Sequence, residues 1–266
     1  MMITEGEADI YLKGDEKDFN FDACLIVAMP EFGFAPYVAV KGVLNGADPF
    51  GHYISKYHYQ DPFNCIGDFD EPGWPLYTVE KQGKKWLIVV IKEWMPTPLV
   101  QGAPQGTWIY TYPLIRNFCS LLIKKGVKDL CYATTTAGND AFPDELFTQP
   151  KRTRVYEYHF GEGTRTTSKA FVLPPSWLFP YLFTEMGGEG WLVFTGYKDG
   201  EMIDEMAAVT LTNYFKNHLH LPSSRAEMDR TCERIKEEVT DEVKLMDGVP
   251  DLNKLPKTDK TNVMWG

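Results

Sequence analysis

Cys24-Leu25-Ile26-Val27-Ala28-Met29 is an unbroken apolar run closed by Pro30, and Glu31-Phe32-Gly33-Phe34-Ala35-Pro36 follows it. A strand with one wet face would alternate apolar and polar side chains. Six apolar residues in a row fit a strand covered on both faces. Pro36, whose φ is already helical, suits a first helical turn, and Val38, Ala39 and Val43 recur at near-helical spacing until Asn45-Gly46. Strand, loop and helix in that order are the opening of a parallel α/β unit.

Two further runs have the same character. Trp86 to Ile91 is apolar throughout and is preceded by Leu76 to Glu80 across Lys81-Gln82-Gly83-Lys84, which reads as a hairpin. Asp129 to Ala133 is the third strand, and it leads into Thr134-Thr135-Thr136-Ala137-Gly138-Asn139-Asp140. Between them lies a helix after Thr107, with Ile109, Tyr112, Ile115, Phe118 and Leu122 on one stripe, ended by Gly126. These patterns predict a three-layer α/β/α sandwich with a mostly parallel central sheet, the three apolar runs being neighbours. Residues 52 to 59, 154 to 159, 171 to 173 and 191 to 197 read as further strands. Pro174-Pro175 opens a helix to Met186, Asp204 caps another running to Leu219, and Ser224-x-x-Glu227 is a capping box for a last helix. That helix carries a narrow stripe of Met228, Cys232, Ile235, Val239 and Val243 on a charged surface. The organisation expected is an N-terminal segment 1–22, one domain 23–247 and a tail 248–266.

Composition narrows the function classes. At 266 residues with a formal net charge of -10, the chain can build a sizeable core and repels phosphate backbones, so no nucleic-acid partner is expected. The basic clusters Lys81 to Lys85 and Lys151 to Arg154 are short. No apolar run is long enough for a signal peptide or a membrane span, which gives the expectation of a soluble, cytoplasmic protein with no membrane partner. Five cysteines without CxxC spacing fit a reducing compartment and argue against zinc.

A search for chemistry finds little. The first strand-helix turn has one glycine where a dinucleotide fingerprint needs three, and GxxxxGK[ST], HExxH and GxSxG are all absent from the sequence. The best ligand candidate is the rim at the carboxyl ends of the parallel strands, made of Phe32 and Gly33 from the first loop with Thr134, Thr135, Thr136, Gly138 and Asn139 from the third. Three hydroxyls and a glycine there could hydrogen-bond a phosphate or sugar, or they could be an ordinary strand-to-loop turn. Asp61, Asp68, Asp70 and Glu71 lie in a Pro-Gly loop, and His218 and His220 end a helix without a third ligand, so no metal or other cofactor is expected. His58 and His159 sit in strand-like runs without an adjacent nucleophile. No catalytic set of acid, base and nucleophile assembles.

Several of these pieces resemble the proteasome assembly chaperone family, whose fold is similar to nucleoside phosphorylases without their active site. Leu25 to Ala39 is similar to that family's strand, Pro-Gly-x-Gly loop and helix. Trp108 to Ala133 is similar to its helix, turn and strand through Lys125-Gly126-Val127-Lys128. Asp204-Glu205-Met206-Ala207-Ala208 is similar to its Asp-x-x-Ala-Ala helix start, and the charged last helix to its C-terminal one. Glu31 and Pro36 stand where glycines are usual, and Thr135-Thr136 replaces a Gly-rich strand end. Some archaeal members end in a hydrophobic-tyrosine-any residue tail that inserts between proteasome α subunits. Met264-Trp265-Gly266 resembles that tail with Trp for Tyr, on a polar, Pro-interrupted tether spanning about 20 Å. The resemblance implies a non-enzymatic, homo-oligomeric assembly chaperone-like or adaptor protein partnered with proteasome α subunits. The alternative is an enzyme or binding protein for a nucleoside-like or other small polar ligand at the carboxyl rim.

Overall fold

The computed structural model describes residues 2–5, 8–12, 19–28, 32–55, 73–91, 108–137, 151–161, 174–198 and 203–247. The strands are β1 (Met2–Glu5), β2 (Ala8–Leu12), β3 (Ala23–Ala28), β4 (Gly51–Ser55), β5 (Trp74–Lys81), β6 (Lys84–Ile91), β7 (Asp129–Ala137), β8 (Tyr156–His159) and β9 (Glu189–Tyr197). The helices are α1 (Ala35–Leu44), α2 (Trp108–Lys124), α3 (Pro174–Glu185), α4 (Glu205–Asn217) and α5 (Arg225–Asp247), and a 3-10 turn, Phe32–Phe34, precedes α1. All described strands belong to one sheet in the order β1-β2-β4-β5-β6-β3-β7-β9-β8.

The three apolar runs are neighbours, as their composition requires. β3 lies between β6 and β7 and is parallel to both, with Ile26 opposite Val89 on one side and Tyr132 on the other. β9 continues the parallel set beside β7. Parallel pairing is confined to these four central strands; the hairpin β5–β6, its neighbour β4, the pair β1–β2 and the edge strand β8 are antiparallel. The N-terminal segment, to which no element was assigned from its sequence, adds β1 and β2 to the sheet through β4.

Alternation along β3 explains why the run had to be apolar. Cys24 and Ile26 join a core with α2 and α3, whereas Ala23, Leu25 and Val27 join one with α1, α4 and α5. Each helix ends where the sequence signals it. Val127 N–H bonds the Leu122 carbonyl and Gly126 N–H that of Ile123, the paired closure of a left-handed cap, with Gly126 at φ 84°. Ser224 Oγ accepts from Glu227 N–H as half of the expected capping box, but Ser224 N–H donates to Gly42 of α1 instead of to the Glu227 side chain. The start of α5 is thereby stitched to α1. Among the described residues, no helix is long and apolar enough to cross a membrane.

Candidate functional site

The parallel strands β6, β3, β7 and β9 place their carboxyl ends on one rim, the region to which the sequence assigns its candidate ligand residues. Phe32 and Gly33 lie in the 3-10 turn, which touches the end of β7. Thr134, Thr135 and Thr136 lie inside a strand and not in a loop, because β7 extends to Ala137, four residues beyond the expected Ala133. All three are fully buried. They stand opposite Phe194, Thr195 and Gly196 of β9, and Thr134 Oγ1 donates to the Thr135 carbonyl at 3.2 Å. Strand alternation sends Thr134 and Thr136 to the α2–α3 side and Thr135 to the α1–α4 side, so the hydroxyls do not converge on one point. Gly138 and Asn139 lie outside the described residues, as do Met264, Trp265 and Gly266.

What the rim does contain is a clasp centred on Asp204. The side chain is fully buried and caps α4 through Ala207 N–H at 3.0 Å; it also accepts Lys198 N–H at 2.8 Å. Arg152 completes the set with two parallel bonds, Nε to Oδ2 and Nη2 to Oδ1, each 2.6 Å. Two bonds on each oxygen leave the carboxylate no lone pair directed elsewhere, so it is a structural anchor and not a base. Burial opposes its ionisation, but Arg152 and the backbone donors of Ala207 and Lys198 outweigh burial and hold the carboxyl below its usual range.

The clasp also fixes the first loop. Asp204 N–H donates to the Gly33 carbonyl at 2.8 Å, and a Cβ on Gly33 would lie 3.0 Å from the Asp204 Cβ. Gly33 has φ 67°, a left-handed backbone that glycine adopts without strain. The glycine is required here because another part of the protein approaches it. From the far side, Thr210 Oγ1 donates to the Arg152 carbonyl at 2.7 Å and Thr195 Oγ1 to that of Lys151 at 3.2 Å. The segment around Arg152 is thus tied to β9, α4 and, through Asp204, the turn after β3.

Sequence reading identified Asp204 as a cap but missed its partner. Arg152 sits in a short basic cluster, and a separation of 52 residues carries no local signal. The other candidates scatter. His159 is hydrogen-bonded to Glu157 at 3.1 Å and stacks on Trp191, while His218 stacks on Tyr214. Burial raises the thiols of Cys24, Cys119 and Cys131 well above the range in which a thiolate forms. Among the described residues no three His, Cys, Asp or Glu side chains gather in a way that could hold a metal ion. His58, Asp61, Asp68, Asp70 and Glu71 lie outside the described residues.

No protein-family model and no curated protein matches the chain. Solved structures do. A Pyrococcus furiosus protein, PbaB, described as an archaeal proteasome activator, superposes with a TM-score of 0.62 at 14% identity, over 90% of this chain and 99% of its own. PbaA of the same organism, described as an archaeal homolog of proteasome-assembly chaperone, gives a TM-score of 0.54 at 16% identity, over 90% and 93%. A proteasome-assembly chaperone homologue from Mycobacterium tuberculosis gives 0.51 at 12% identity, over 82% and 94%. At such identities the likeness is one of fold, and over nearly its whole length this chain has the fold of the archaeal and mycobacterial homologues of proteasome-assembly chaperones.

Proposed function

We propose that the protein is a non-enzymatic proteasome assembly chaperone-like or adaptor protein of the cytoplasm that docks on proteasome α subunits through Met264-Trp265-Gly266. One observation carries the reading: the fold, over 90% of the chain, is shared with a proteasome activator and with a homolog of proteasome-assembly chaperone. The chemistry at the rim favours a scaffold as well. Its buried carboxylate is fully engaged by Arg152 and two backbone donors, and the place where a substrate would approach the first glycine is filled by Asp204.

A short tail can dock because Trp contributes a large apolar area for few rotatable bonds, and the terminal carboxylate can pair with a lysine lining an inter-subunit pocket. Several tails on one oligomer raise the effective concentration. The test is capture of proteasome α rings by the purified full chain and by a chain ending at Val263. Binding by the first and loss of binding by the second, with equal melting temperatures, is the expected result. Equal capture by both forms refutes docking through the tail, and no capture by either refutes the proteasome as partner.

A further inference from the structure

We propose that β8 is a self-complementary edge through which two copies of the chain join their sheets, Tyr158 facing Tyr158 of the second copy across a two-fold axis. The inference is independent of the proteasome reading and rests on one strand and the helix beside it.

β8 ends the order of the sheet, so among the described residues its outer side has no strand neighbour. Its inner side is fixed against β9: Tyr158 is opposite Leu192, and Phe160 N–H donates to the Gly190 carbonyl at 3.1 Å. In an antiparallel ladder the backbone groups of alternate residues point to opposite sides. Since Phe160 bonds inward, so do Tyr158 and Tyr156, and Glu157 and His159 present their N–H and C=O groups outward. An antiparallel partner strand centred on Tyr158 would therefore take four backbone bonds, from Glu157 and His159 of one copy to His159 and Glu157 of the other, with Tyr158 facing its counterpart at the close, non-bonded position.

The side chains agree with that register. A two-fold axis normal to the sheet keeps each face with its like. On one face the sequence Tyr156, Tyr158, Phe160 meets the same three residues in reverse, an aromatic ladder in which ring packs on ring. On the other, Glu157 stands across from the imidazole of His159 and the reverse, opposite partners at both positions. Within one copy Glu157 and His159 are already 3.1 Å apart, so the pairing closes a ring of two carboxylates and two imidazoles. A one-residue slip would set Glu157 opposite Tyr158 or Phe160 and lose this match.

A strand of four residues is too small for a stable interface of roughly 800 Å² per partner, and the flank supplies the rest. Phe160 packs on Tyr181, at 6.2 Å between ring centroids, and Tyr181 on Trp177 at 5.9 Å. Trp177 and Tyr181 are 38% and 40% exposed, unusual for rings of their size. They extend the aromatic face of β8 onto α3, on the side where the two-fold brings the second α3 near.

The experiment is sedimentation of the full chain at tens of micromolar together with three variants. Wild type is expected to sediment as a dimer or an even multiple. Glu157→Lys removes the carboxylate that faces His159 at both positions, sets an ammonium against each imidazole, and weakens association at least about tenfold. Adding His159→Glu to that variant restores the pairing by reversing both positions at once. Trp177→Glu, at an exposed helical site that does not touch the strand ladder, weakens association without lowering the melting temperature and covers the case in which Glu157→Lys misfolds. Tyr158→Cys adds a positive readout: mild oxidation yields a disulfide-linked dimer, whereas Glu157→Cys yields none. A monomeric wild type, association unmoved by Glu157→Lys or Trp177→Glu, or failure of the reversed pair to restore it, overturns the proposal.

Discussion

The two faces of the sheet are held by different physics. Against α2 and α3 the core is a cluster of rings: Tyr53 and Trp74 each pack on Phe118, at 4.7 and 5.3 Å, Trp74 packs on Phe179 at 5.6 Å, and Phe179 stacks on Tyr132 at 5.4 Å. Against α1 and α4 the layer uses small residues, Ala35, Ala39, Ala207 and Ala208, all fully buried, so that helices and sheet approach closely. The burial of so much apolar ring area is non-directional and scales with area, so this face supplies stability. Close backbone approach and the bonds around Asp204 specify position. The rim belongs to the second face, which is why its geometry depends on a few particular residues.

That contrast breaks first on the ring side. Phe179→Ala removes a fully buried ring that touches Trp74, Phe118 and Tyr132, and should destabilise by about 4 kcal/mol because the rigid neighbours collapse poorly into the cavity. Thermal unfolding should show a larger drop in melting temperature than for Asp204→Ala or Gly42→Ala. Phe179→Leu, which keeps most of the volume, should recover over half of the loss. Equal effects of the two variants would mean that the ring cluster acts through ring geometry and not through filled volume.

On the rim side, Asp204→Ala should cost about 3 kcal/mol at neutral pH, since it removes a helix cap and both charge-assisted bonds that the partly buried Arg152 guanidinium makes to the carboxylate. The sign with pH follows from the depressed carboxyl: its contribution is complete above the unfolded value of about 3.9 and is lost as pH falls through the lower folded value. The difference between wild type and Asp204→Ala should therefore be flat from pH 7 to 5 and shrink below about pH 4. Chemical denaturation at a series of pH values measures it. A difference that persists unchanged at pH 2.5 would show that the cap and packing, not the charge pair, carry the effect.

The same contrast decides what could be read in advance. Apolar runs report burial on both faces, so β3, β6 and β7 and their adjacency were legible from composition, and Asn45, Gly126 and Asp204 marked helix ends by local backbone chemistry. β7 ran longer than expected because threonine suits both a buried strand and a turn; Thr134 to Thr136 look polar, and only pairing with Phe194, Thr195 and Gly196 decides the matter. The antiparallel flanks were legible where a two-residue turn joins Lys81 to Lys84 and hidden where pairing is remote, as between β2 and β4. The Arg152–Asp204 clasp was invisible for the same reason, since no periodicity links residues in different elements. Non-local polar contacts set the candidate site, and they are what a single sequence encodes least directly.

The smallest effect tests close approach itself, where α5 crosses α1. A Cβ on Gly42 would sit 2.7 Å from Met228 Cγ and 3.2 Å from the Ser224 carbonyl, and Ser224 N–H is bonded to the Gly42 carbonyl at 2.8 Å. Alanine in place of glycine within a helix would by itself stabilise by up to about 1 kcal/mol. The methionine can swing aside, but its sulfur accepts the Thr212 hydroxyl at 3.4 Å, and moving it loses that contact and its packing. The clash outweighs the propensity gain, so Gly42→Ala should destabilise by about 1 kcal/mol. In a Met228→Ala background the obstruction is gone and the same substitution should become neutral or stabilising. A double-mutant cycle on Gly42 and Met228 reads the coupling directly. If Gly42→Ala is stabilising in both backgrounds, the two helices have room to separate, and tight approach is not what fixes this face of the sheet.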